Sequence, residues 1–448
     1  MKRTLKSAIL GLGFVDYPRL IIMVVVGVIT VLSLQHNEFF PTNVPAFPGA
    51  VGFGTHTKGG RGGQIIFVTN TNDSGAGSFR DAVGQSGARI LIFKTGGIVQ
   101  ADSPIYIYNP YITIAGQTAP GNGFAIKGAP IFIRTHDVII RGMRMRLGDG
   151  PGVKGTDRDG ITVWGGRNYE AYNVVVDHNS VAWGVDENFS TWGDYIVGAV
   201  HDITFSYNIS AEALKCAALP DNPQACRSMG MLIGYESNNI TVHHNLFAFN
   251  NDRNPAVFGV GRGEYVNNVI YGWGAKALNP RGGGGLQLNI LGNYCETTPG
   301  TRSWMESKNC FQLETPGKYY LSGNNSGVTI ASGTVVNTPL FDSMPATSPL
   351  VAYENVLESA GARPLDPVDQ RIIENIRNDL PPVHGKWIID SQSEVGGWPS
   401  YPSGKPPADS DNDGLPDAWD VPGRSPSDLA PSGYTWIEEY INSLIPPP

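Results

Sequence analysis

From Gly49 to about Gly333 the chain repeats one texture: a short β-branched or aromatic run, then Asn, Gly, Asp or His, then another short run. Ile112-Thr-Ile-Ala-Gly116, Val138-Ile-Ile-Arg-Gly142, Val174-Val-Val-Asp-His178, Ile203-Thr-Phe-Ser-Tyr-Asn208, Ile240-Thr-Val-His-His-Asn245 and Tyr265-Val-Asn-Asn268 are examples. These runs are strand-length, and no helical period of any length lies between them. They recur at roughly 22–37 residues, the spacing of solenoid coils, whereas the turns of a hairpin sandwich recur about every 8–12. The Asn residues ending the runs, Asn179, Asn208, Asn245, Asn268, Asn293 and Asn324, suit a parallel β-helix. Asn tolerates the left-handed backbone of a sharp corner, and stacked Asn side chains can hydrogen-bond from coil to coil. The fold expected is an all-β solenoid, a parallel β-helix over residues 44–340.

Composition narrows the function. Charged residues are 16% of the chain, against about 25% in an average soluble domain. Lys+Arg 32 against Asp+Glu 40 gives a net charge of -8, so nucleic acid is not an expected partner. If the ligand is a polyanion, something other than the protein must supply positive charge.

Lys2, Arg3, Lys6 and Arg19 precede an apolar run from Leu20 to Leu34, a basic segment followed by a hydrophobic one. Residues 1–43 are therefore expected to be an export signal or signal-anchor with its linker, leaving the rest secreted, periplasmic or tethered to a membrane at the cell surface. The four cysteines agree with export. Cys216 with Cys226, and Cys295 with Cys310, each enclose a loop of Pro, Asn, Thr, Gly or Ser, so two local disulfides are the economical pairing of three. No Cys-x-x-Cys occurs, which makes zinc the weaker reading.

Beyond Gly333 the texture changes. Ala352–Gly361 and Pro367–Asn378 read as short helices within a 341–408 segment, and Asp390 to Glu394 opens a Gly/Pro-rich linker. A module over 409–448 ends in a helix whose Tyr434, Ile437, Tyr440, Ile441 and Leu444 share one face. It begins with Asp409, Asp411, Asp413, Leu415, Asp417 and Asp420 at alternating loop positions around Gly414. That is the spacing of a calcium loop, where ligands converge on a hard cation and Gly permits the turn.

Two further clusters carry chemistry. Asp157, Asp159, Asp186 and Glu187 surround the Asp177-His178 pair. If Asp159 precedes one strand and Asp186 follows the next, their carboxylates meet on neighbouring coils. They would then form either a calcium site or the acid/base pair of a glycoside hydrolase. Asp177-His178 itself reads as a buried structural pair. The other cluster is His243 to Pro255, in which Pro255 restricts the backbone beside Arg253 and so places its side chain.

With these clusters in view the chain resembles the pectate lyases of polysaccharide lyase family 1, in the branch common among bacteria. The resemblance begins at Ala46-Phe-Pro-Gly-Ala-Val-Gly-Phe-Gly54 and Gly59-Gly-Arg-Gly-Gly63. It continues through Gly77-Ser-Phe-Arg80, Ile114-Ala-Gly-Gln-Thr-Ala-Pro-Gly121, Val176-Asp-His178, Val185-Asp-Glu187 and Arg253-Asn-Pro255. Ile389-Asp-Ser-Gln-Ser-Glu-Val-Gly-Gly-Trp398 and the acidic loop complete it. It implies a right-handed β-helix and calcium-dependent β-elimination of polygalacturonate, with Asp159 and Asp186 as calcium ligands, Glu187 and Asp157 beside them, and Arg253 as the base. Three departures follow. Ala182 stands where a further acidic ligand is common, Arg227 is the candidate replacement for a substrate-binding Lys, and Phe258 occupies the place of a substrate-binding Arg. His178 is carried along as a second substrate-binding residue. The partner implied is pectin, and a monomer is expected. The rivals are a polygalacturonase-like hydrolase and a non-catalytic pectin-binding or adhesion β-helix.

Overall fold

The computed structural model describes residues 44–154, 158–217, 226–302 and 308–445. The N-terminal apolar segment and Asp157 lie outside them, and no described helix is long and apolar enough to cross a membrane. Each coil of the solenoid lays down three strands, each joining a different sheet. Ile161–Trp164 enters a seven-stranded sheet, Ala171–Asp177 an eleven-stranded one and Ser180–Ala182 an eight-stranded one; Glu187–Trp192 then returns to the first. Every strand pairing is parallel, as when Ile161 faces Phe189 and Val174 faces Ile203. The fold is a right-handed parallel β-helix, as expected from the sequence.

The Asn ladder is continuous. Asn179, Asn208, Asn245, Asn268 and Asn293 each donate backbone N–H and side-chain Nδ2 to the Oδ1 of the next, ending on Asn324, over 2.9–3.1 Å. Successive rungs are 29, 37, 23, 25 and 31 residues apart, so the amide series marks one corner of coils of unequal length. One detail differs from expectation. The left-handed residue is the one before each Asn: His178, Tyr207, His244 and Asn267 have φ of 50–53°, and Gly292 and Gly323 take 60° and 67°. The Asn serves as the hydrogen-bonding rung, because its amide both donates and accepts, while its predecessor turns the chain.

Beside the ladder runs one apolar core, from Val68 and Phe93 through Ile114, Val176, Phe205 and Val242 to Ile290 and Tyr319. Two outer faces are covered. Helices α2 (Pro349–Ser359) and α3 (Pro367–Arg377), each capped by an Asp or Ser with Pro in the first turn, set Val356, Leu357, Ile372 and Ile376 on the eight-stranded sheet. Helix α4 (Trp436–Ser443) and the acidic loop set Ile437, Tyr440, Ile441 and Leu415 on Ile90, Ile92 and Ala115 of the eleven-stranded sheet. Of the five residues expected on one face of this helix, Leu444 is 37% exposed and Ile445 is buried in its stead. A six-residue helix α1, Phe79–Gly84 capped by Ser78, is too short to show a sequence period. These coverings leave the seven-stranded sheet carrying an open cleft.

Candidate active site

The cleft has a volume of about 730 Å³. Four neighbouring strands of the seven-stranded sheet feed it from their N-terminal ends. Asp159 precedes Ile161–Trp164, Asp186 and Glu187 open Glu187–Trp192, Arg227 precedes Met229–Gly234, and Arg253 precedes Ala256–Val257. Asp186 follows Ser180–Ala182 and leads into Glu187–Trp192, so it enters the seven-stranded sheet from the same end as Asp159, one coil on. Parallel pairing therefore stacks two carboxylate coils beside two arginine coils.

One ligand oxygen from each of Asp159, Asp186 and Glu187 lies within 4.8 Å of the others. Thr162 and Ser190 hydroxyls donate to Asp159 Oδ2 at 3.2 and 3.4 Å. Arg227 Nη1 lies 2.8 Å from Asp186 Oδ2, and Arg253 pairs with Glu187. The Cys216–Cys226 disulfide closes immediately before Arg227, whose N–H donates to the Lys215 carbonyl. The sequence expectation of two local bridges holds, the second being Cys295–Cys310. Ala182 lies in the eight-stranded sheet and is fully buried, so its position supplies no acidic ligand.

Arg253 has φ of 58° and donates its backbone N–H to Asp252 Oδ1 at 2.6 Å. Burial pushes its guanidinium below the ordinary value; Asp186 and Asp159 act the other way, and the nearby Arg281 reinforces the fall. Arg281 escaped the sequence reading. Its guanidinium stands 5.0 Å over Phe258, whose ring Arg253 also approaches at 6.0 Å. A cation therefore returns, from the next coil, to the neighbourhood where Phe258 had replaced one.

His178 is not brought to the cleft. It is buried at the Asn-ladder corner of the eleven-stranded sheet, its Nδ1 2.7 Å from Asp177 Oδ2, and its ring stacks on Tyr207 at 4.9 Å. Asp177 also accepts from Arg141 Nε and Ser206 Oγ. Burial opposes its charge, but His178 and Arg141 hold the carboxyl far below its ordinary range. The pair is structural, and substrate binding by His178 is corrected accordingly.

In the C-terminal loop, Asp409, Asp411 and Asp413 also bring oxygens within 4.8 Å of one another. Gly414 turns with φ of 100°. Asp417 and Asp420 do not join this triple: Asp417 accepts from Ser410 N–H and Oγ at 2.7 and 2.9 Å. Lys94 Nζ lies 2.5 Å from Asp409 Oδ2, so the loop is also anchored to the solenoid by an ion pair.

Fold and site together define an enzyme of the parallel β-helix class. No protein-family model matches the chain. It is 34% identical over 447 residues to the probable pectate lyase C of Aspergillus flavus, covering 94% of this chain and 98% of that protein. The identity to the Aspergillus oryzae protein of the same name is again 34%, over 94% and 98%. Among solved structures, the cedar pollen allergen jun a 1 superposes with a TM-score of 0.51 at 19% identity, over 73% of this chain and 97% of that one. A Bacillus sp. N165 pectate lyase in complex with trigalacturonate gives 0.50 at 17%, over 70% and 99%; both show the shared fold. The chain belongs to the pectate lyase family. These sequence relatives are fungal, so the expected bacterial branch finds no support in them.

Proposed function

We propose that the protein is an exported lyase that cleaves (1→4)-α-D-galacturonan by calcium-dependent β-elimination, releasing 4,5-unsaturated oligogalacturonates. The observation that carries this reading is the facing of Asp159, Asp186 and Glu187, on two adjacent coils, by Arg253 two coils further on, across one cleft. Three close carboxylates are a hard-cation donor set, and they fit calcium. Calcium bound there supplies the positive charge that an acidic protein lacks toward a uronate and makes the proton at C5 more acidic.

The residues of the chain do the rest. Asp159, Asp186 and Glu187 hold the ion. Arg227, about one-third exposed at the cleft, offers a bidentate partner to a uronate carboxylate. Arg253, neutral in the reactive form, takes the C5 proton on its guanidine nitrogen. The C–H electron pair becomes the C4–C5 double bond, and the C4–O4 bond breaks with its electrons going to the leaving oxygen, which is protonated from solvent. A guanidine is an unusual base because it is ordinarily charged in proteins. The downward pull of burial and of Arg281 on Arg253 supports the assignment, and activity should rise through the alkaline range. In the acidic C-terminal loop we assign a second, structural calcium to Asp409, Asp411 and Asp413.

The test is polygalacturonate incubated with the mature chain, with calcium and with chelator, following ultraviolet absorbance of unsaturated uronate. A calcium-dependent rise is expected. New reducing ends without absorbance would move the reading to a hydrolase, and neither signal would move it to a binding protein.

A further inference from the structure

The seven-stranded sheet presents a second line of side chains, at the opposite ends of the strands that carry the elimination site. Pairing of Ile107 with Ile133 and of Ile133 with Val163 puts Tyr108, Arg134 and Trp164 one residue further on, in register. Trp164 pairs with Trp192 and Trp192 with Gly234. Pairing of Ile233, Val257 and Pro280 then puts Phe258 and Arg281 on the same line. Backbone bonds from Arg134 to Ile107 (2.9 Å), Phe258 to Ile233 (2.8 Å) and Arg281 to Val257 (2.8 Å) carry the register past the assigned strands. Where Gly234 leaves a rung bare, the Tyr235 ring stands in, 4.4 Å from Trp192 and 5.8 Å from Phe258.

The middle of this line is fixed and faces the cleft. Asp194 Oδ1 accepts from both Trp164 Nε1 and Trp192 Nε1, at 3.0 and 2.7 Å. Trp164, Trp192 and Phe258 line the same cleft as Asp159, Asp186 and Arg253. A guanidinium stands at each end. Arg134 is held over Trp164 at 4.6 Å and Tyr169 at 4.2 Å and donates to the Tyr169 hydroxyl; among the described residues no carboxylate forms a salt bridge with it. Arg281, over Phe258, has Asp252 Oδ1 only at 3.7 Å, beyond hydrogen-bond length. Aromatic faces between two arginines match a polymer that alternates apolar ring faces with carboxylates. Stacking on the rings holds each planar fork in place, so less side-chain entropy is lost when it grips a carboxylate.

We propose that this line is the track on which the uronate chain lies, with sugar rings on Trp164 and Trp192 and carboxylates taken by Arg134 and Arg281 at its two ends. The proposal rests on the galacturonan reading above and specifies which part of the polymer each arginine holds. Neighbouring strands are about 4.8 Å apart. Arg134, four strands from that of Arg253, is therefore roughly 19 Å from the bond broken, whereas Arg281 is one strand away.

The experiment compares kcat/KM on trigalacturonate and hexagalacturonate for the wild type, Arg134→Gln and Arg281→Gln. Loss of a charge-assisted carboxylate contact is worth about tenfold or more. Arg134→Gln should lower the hexamer-to-trimer ratio by about tenfold, because only the longer chain reaches it. Arg281→Gln should weaken both substrates alike. An unchanged ratio in Arg134→Gln, or an equal loss on both lengths, overturns the track. If the wild type cleaves neither substrate, the elimination reading has failed, and calorimetric binding of hexagalacturonate then decides the track alone. About tenfold weaker binding by Arg134→Gln supports it; equal binding, or none by the wild type, overturns it.

Discussion

Asn245→Ala in the middle of the ladder removes more than its own contacts. Asn245 Oδ1 accepts from both Asn208 N–H and Asn208 Nδ2 at 2.9 Å, and its Nδ2 donates to the Phe205 carbonyl at 2.9 Å and the His243 carbonyl at 3.0 Å. Asn208, Phe205 and His243 are buried, so water cannot replace the lost partner. Each orphaned buried group costs about 1–3 kcal/mol. The Asn208 N–H loses its acceptor, the Phe205 carbonyl loses one donor, and the small cavity adds to these, giving a loss of about 2–4 kcal/mol. Asn324→Ala removes the same kinds of bond, to Asn293 and the Ile290 carbonyl, but at a half-exposed rung where water can substitute, for about 1 kcal/mol. Equilibrium urea unfolding followed by circular dichroism measures both. Equal losses at the two positions, or less than about 1 kcal/mol for Asn245→Ala, would refute the idea that burial of the amide series holds the coils together.

The remaining predictions concern pH, the base and the two cation loops. Burial keeps His243 and His244 neutral, lowering them from 6.5 to about 3 and about 4, the former helped by His244 itself. Below pH 6.5 the unfolded chain binds these protons and the folded one does not, so stability falls with acidification by about 1.4 kcal/mol per pH unit per histidine. Because the unfolded histidines are half protonated at pH 6.5, the two lose about 3 kcal/mol between pH 6.5 and 5. Asp369, raised by burial to about 6, acts in the opposite sense and returns about 1 kcal/mol; urea midpoints should drop accordingly, and less in a His243→Gln, His244→Gln variant. Arg253→Lys should lower kcat by about 10²–10⁴, the range for a proton-transfer group, with the circular dichroism spectrum unchanged. Asp186→Asn should raise the calcium concentration giving half-maximal activity, measured by titration from a chelated start. Asp409→Ala should abolish any rise in thermal midpoint that calcium gives the wild type, while leaving the calcium response of activity in place.

The sequence by itself determined the architecture and the chemical cast. Asn at the end of six runs is readable because its job is local: one amide per coil, at one corner, whatever the length of chain between. The acidic residues of the cleft, Arg253 and the cysteine pairs were legible for the same reason, since each sits beside a strand run or a loop that announces itself. Only the tertiary structure decided which side chains face which. Coils of 29, 37, 23, 25 and 31 residues share no fixed spacing, so register comes from packing and ladder hydrogen bonds rather than from counting. That is why the structure moved the left-handed corner residue one place before each Asn and placed His178 in a buried stack. It is also why Asp186 enters the same end of the sheet as Asp159, and why Arg134, Trp164, Trp192, Phe258 and Arg281, scattered across some 150 residues of sequence, fall on one line.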